Sequence, residues 1–128
     1  MNKEDKELLL KDLCTRLPYK CRAFYEYVDE LNGKTYGYGC NLNTWCIDEL
    51  EANKAVIKPY LRSMSSMTEE EAKEYNDLCF CNTPYPGIAE DAVAKFMDWL
   101  NEHHFDYRGL IQMGLAIEVT KENNPYKE

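Results

Sequence analysis

A chain of 128 residues, 45% hydrophobic and 30% charged, suffices for one real core and is too short for two. Its net charge of −8 is spread along the chain, so no stretch has the basic surface that nonspecific nucleic-acid or anionic-membrane binding requires. No window approaches the roughly 18 apolar residues of a membrane span.

In chain order, Asn2 is a good N-cap with Asp5 three residues on, and Leu9, Leu10, Leu13, Cys14 and Leu17 form an apolar stripe ended by Pro18. The pattern predicts a helix over 3–17. From Tyr19 to Val28 the period shortens to two, with Cys21, Ala23, Tyr25 and Tyr27 alternating as in a half-buried strand. Asn32-Gly33 predicts a type I′ hairpin turn, and 34–40 is the returning strand, in which Gly37 and Gly39 alternate with tyrosines. Thr44-Trp45-Cys46-Ile47 reads as a third strand, and 48–55 as a short helix or loop. In Val56–Met64, Pro59 argues for an edge strand or extended segment.

Thr68-Glu69-Glu70-Glu71 is a capping box that should start a helix with Ala72, Tyr75, Leu78 and Cys79 on its buried face, followed by a loop over 80–87. Ile88, Ala92, Val93, Phe96, Trp99, Leu100 and His103 then share one helical face, with Asn101 and Glu102 among the residues opposite. Trp99 and Phe96 can each bury on the order of 150–250 Å², which makes this helix the expected nucleus of the core. Residues 109–113 read as one helical turn ended by Gly114, and 115–119 as a closing strand. The expectation is a single α+β domain over 1–119, a small antiparallel β-meander packed against two to three helices, with 120–128 as a flexible tail.

Four constellations bear on chemistry. His103-His104-Phe105-Asp106-Tyr107-Arg108 holds the catalytic candidates His103, His104, Asp106 and Arg108: a histidine beside an acid is a possible general base, and an arginine clamps phosphate or carboxylate. The competing structural reading is a helix C-terminus, where histidine is favoured by the dipole and Asp106 with Arg108 locks the turn; it outweighs the catalytic one. The six cysteines (Cys14, Cys21, Cys40, Cys46, Cys79, Cys81) include a Cys40–Cys46 spacing and a C-x-C pair, Cys79 and Cys81, but no C-x₂-C knuckle. No metal and no cofactor are expected. A redox role for Cys79 and Cys81 has no further support. Lys58 and Arg62 before the Thr68 cap have the ingredients of an anion site, yet Glu69, Glu70 and Glu71 occupy that positive potential themselves. The last is the hairpin with Phe24, Tyr25, Tyr27, Tyr36 and Tyr38. Its aromatics build a sheet core, or, where one face is exposed, a protein-binding surface.

Three stretches carry a resemblance: Lys6 through Pro18, Lys58 through Glu71, and Trp99 through Ile111. Together they resemble a family of small uncharacterised proteins of gut Bacteroidales genomes, phages and mobile elements. That resemblance implies an accessory protein of phage or mobile-element origin and assigns no role to any residue. The N-terminus lacks an apolar leader, so a cytoplasmic protein with reduced thiols is expected.

The reading that emerges is a non-enzymatic protein-binding module using Tyr25, Tyr27, Tyr36, Tyr38, Tyr107 and Arg108. The alternative is a small enzyme or ligand sequesterer acting on a phosphorylated small molecule through the His103–Arg108 segment.

Overall fold

The computed structural model describes residues 2–79 and 86–126. Helix α1 (Lys3–Arg16) starts at Asn2, whose side-chain oxygen accepts from the Asp5 amide at 2.7 Å, and a 3₁₀ turn at Leu17–Tyr19 ends it where Pro18 removes a donor. Strands β1 (Arg22–Val28) and β2 (Thr35–Asn41) form the hairpin, α2 (Thr44–Glu51) follows, and β3 (Val56–Leu61) returns antiparallel to β1. Helices α3 (Glu69–Cys79) and α4 (Pro86–Glu102) pack on each other, and β4 (Ile117–Glu118) closes the sheet. The fold is α+β, with strand order β2-β1-β3-β4.

Several expectations need correction. The sheet is mixed, not an antiparallel meander, because β4 runs parallel to β3. The predicted third strand at 44–47 is the first turn of α2: Asn43 caps it by accepting from the Cys46 amide at 3.0 Å, and Cys46, Ile47 and Leu50 form a buried helical face. The hairpin turn is not type I′. Asp29 donates to the Lys34 carbonyl across a four-residue loop in which Gly33 takes positive φ and Asn32 does not.

Pro59 sits between β1 and β4, not on an edge strand. The alternation of paired amides along β1 turns the nitrogen of residue 59 away from β1, and pairing with β4 begins only at Tyr60, so no ladder bond is lost.

The main core is organised around α1 rather than α4. Leu9 and Leu13 meet Leu50 of α2 and the inward side chains Ala23, Tyr25, Ile57 and Leu61 of the sheet. Trp99 and Leu100 of α4 belong to a second, smaller cluster with Phe105, against which Met64, Met67, Tyr75 and Phe96 pack. Val93, expected on the buried stripe, is 61% exposed, whereas Asn101, expected outside, is buried between the Met97 carbonyl and the Tyr107 hydroxyl.

The capping box forms as read: Glu71 N–H donates to Thr68 Oγ1, and the Thr68 amide donates back to the Glu71 carboxylate. The C-terminal segment, expected to fray, is anchored by Tyr126. Its hydroxyl donates to the Tyr60 carbonyl at 2.7 Å and accepts from the Arg22 amide at 2.9 Å.

Candidate functional site

The four tyrosines of the hairpin come together. In the β1–β2 register Tyr25 stands opposite Tyr38 and Tyr27 opposite Tyr36, so all four lie on one sheet face. Their rings form a continuous ladder: Tyr25–Tyr38 centroids are 5.2 Å apart, Tyr25–Tyr27 5.6 Å and Tyr27–Tyr36 5.8 Å. Trp45, from the first turn of α2, stacks on Tyr25 at 5.0 Å and completes the set. Tyr25 is buried as the floor of this ladder. Tyr36, Tyr38 and Trp45 remain 41%, 47% and 49% exposed, and Leu31 at the hairpin tip is 98% exposed. Trp45 was missed in the sequence because 44–47 reads as a strand; an Asn43 cap followed by the 46/47/50 spacing was the available signal.

The backbone adds a second resource. β2 is one edge strand of the sheet, and it carries no charged residue. Asp29 N–H bonds the Lys34 carbonyl and Leu42 N–H bonds the Cys21 carbonyl, so the pairs in register between them alternate. Tyr36 and Tyr38 therefore bond to β1, while the amides and carbonyls of Thr35, Gly37, Gly39 and Asn41 face away from it. At Gly37 a Cβ would run into the Phe24 ring from the opposite strand, which is why that ring can lie flat there. Beside the hairpin runs a groove of about 790 Å³ whose lining includes Tyr25, Tyr27, Leu50 and Val56 and the carboxylates Glu26, Asp29, Glu30 and Glu49. Of its two lysines, Lys6 is committed to the Glu51 carbonyl and the Asn53 side chain.

The other predicted residues lie in a separate part of the molecule, and their polar groups are used internally. His103, His104 and Phe105 close α4 in a Schellman arrangement: the Phe105 amide reaches the Leu100 carbonyl and the His104 amide the Asn101 carbonyl, with His104 at φ 61° where glycine is usual. The His103 ring lies tilted against Trp99, with centroids 4.5 Å apart, and its Nδ1 lies 3.1 Å from Glu71. Glu71 also receives both guanidinium nitrogens of Arg62, at 2.7 and 2.6 Å, so the carboxyl is held down at about 2, chiefly by Arg62. This pairing takes Arg62, one of the two cations that an anion site before Thr68 would use.

Asp106 accepts from the Leu110 and Ile111 amides and so locks the turn without Arg108. Arg108 instead reaches Asp12 of α1 at 3.0 Å. Asp12 is fully buried and also pairs with Arg16 at 2.7 Å; Arg16 in turn donates to the Phe105 carbonyl and lies 4.9 Å from the Tyr107 ring centroid. Tyr107 and Arg108 thus belong to the junction between α1 and the 105–111 turn, apart from the hairpin ladder. The His104 ring stacks on Tyr126 at 3.8 Å, and burial beside Arg16 and Arg62 pushes its pKa down to about 4.

Among the described residues no three His, Cys, Asp or Glu side chains gather as a metal cluster, and no helix is long and apolar enough to cross a membrane. Cys81 and the side chain of Cys79 lie outside the described residues. Nothing among protein-family models, curated proteins or solved structures matches the chain.

Proposed function

We propose that this chain is a non-enzymatic binding module that captures an extended, basic segment of a partner protein along β2. The observation that carries the reading is the coincidence of three half-exposed aromatic side chains, Tyr36, Tyr38 and Trp45, with an uncharged open strand edge. An added strand gains main-chain hydrogen bonds from Thr35, Gly37, Gly39 and Asn41, while the aromatic rings select its side chains. The carboxylates of the neighbouring groove and the net charge of −8 favour lysine and arginine, whose cations also lie well over tyrosine and tryptophan faces. The catalytic alternative has less support, because Asp106, Arg108 and His103 already have internal partners.

The resemblance to Bacteroidales phage and mobile-element proteins supports, by association alone, an accessory role in the cytoplasm such as host takeover or counter-defence. The test is fluorescence polarisation with short labelled peptides that alternate basic and aromatic residues, against acidic controls. Binding confined to the basic set, and lost in a folded Tyr36→Ala/Tyr38→Ala variant, supports the reading. Equal binding by that variant removes the hairpin from it.

A further inference from the structure

Cys40 ends the exposed run of β2, and Cys46 lies in the first turn of α2; the chain between them turns back so that the two sulfurs stand 3.8 Å apart. Both cysteines are free thiols. Cys40 is half-buried, on the same sheet face as Tyr36 and Tyr38, while Cys46 is 1% exposed beneath it. The connecting segment is itself held: Leu42 N–H bonds the Cys21 carbonyl, and Asn43 caps α2. A disulfide needs the sulfurs to close to about 2.0 Å, a movement within reach of side-chain rotation from this starting distance.

We infer that Cys40 and Cys46 are a redox modification site, converted to an intramolecular disulfide by exchange with a small-molecule disulfide such as glutathione disulfide. The exposure of the two sulfurs sets the order of events. Cys40 loses its proton to solvent, and its thiolate attacks one sulfur of glutathione disulfide, forming a mixed disulfide and expelling a glutathione thiolate. Cys46, deprotonated in turn, attacks the Cys40 sulfur, forms the Cys40–Cys46 bond and expels the second glutathione thiolate. The two cysteines give up two electrons and two protons; glutathione disulfide takes the electrons and the departing thiolates take the protons.

Burial and the neighbouring Cys46 push the Cys40 thiol up to about 11, so exchange is slow near neutrality and quickens about tenfold per pH unit on the alkaline side. The bond would tie the end of β2 to the first turn of α2, next to Trp45. This inference does not depend on the partner-binding reading.

The experiment incubates the full chain with glutathione disulfide at mildly alkaline pH, blocks remaining thiols under denaturing conditions and digests with chymotrypsin. Cleavage after Trp45 leaves the Cys40 and Cys46 peptides joined only where the disulfide exists. The expected result is that joined pair as the main oxidation product, released by dithiothreitol, with Cys46→Ser instead trapping glutathione on Cys40. Recovery of Cys40 and Cys46 as blocked free thiols, or pairing with Cys14 or Cys21 in preference to each other, would overturn the inference. The wild-type digest decides the matter even where Cys46→Ser fails to fold.

Discussion

At Asp12 one carboxylate with no solvent exposure holds two guanidinium groups, Arg16 on its own helix and Arg108 from the far end of the chain. Removing one partner of such a set leaves an uncompensated charge inside the protein, which is far more costly than the net worth of the pair. Asp12→Ala is therefore expected to destabilise the fold by about 3–5 kcal/mol in urea unfolding, because Arg16 is itself completely buried. A loss below about 1 kcal/mol, the range of surface pairs, would mean the junction is not what ties α1 to the 105–111 turn. Tyr126→Phe makes a smaller cut. It removes the hydroxyl that serves Tyr60 and Arg22, and is expected to cost about 1–3 kcal/mol, read in the same unfolding assay.

Individual elements show how far local pattern reaches. The Thr68–Glu71 box is a short-range signal and forms as read; Thr68→Ala should lower stability by about 0.5–2 kcal/mol in thermal unfolding, with no change in the α+β fold by circular dichroism. An unchanged melting temperature would leave the box without energetic weight. The α1 stripe and the β1–β2 alternation were equally legible, because their periods are set by the core they face. Residues 44–47 were not: Trp45 and Ile47 have strand preferences, and the Asn43 cap with the burial of Cys46 and Leu50 overrode them. Asp12 and Arg16 could be read only as a helical i,i+4 pair. Their burial depends on Phe105 and Arg108, which no local window contains. The tyrosine set was visible by alternation, and its completion by Trp45 was not.

For the whole molecule, acid is the exposing condition. His104 has a folded pKa near 4 against an ordinary 6.5, so the unfolded chain binds its proton first and stability falls as pH drops through that window. Glu71, held near 2 against an ordinary 4.5, contributes stability that is present above 4.5 and lost as pH falls towards 2. Urea midpoints should therefore decline in two overlapping limbs. His104→Asn, which suits the positive φ and does not titrate, should flatten the upper one. An unchanged slope there would assign that limb to another group.

Docking of a partner protein on the aromatic edge can be followed by nitrogen-15 NMR titration with a basic, aromatic-bearing peptide. The molecule has two indole N–H signals, Trp45 beside the β2 edge and Trp99 bonded to Glu74 in the second cluster. Docking along β2 should give saturable shifts at the Trp45 indole and at the amides of Thr35 through Asn41, with the Trp99 indole unmoved. Shifts centred instead on Trp99 and the 103–108 segment, with β2 silent, would contradict it.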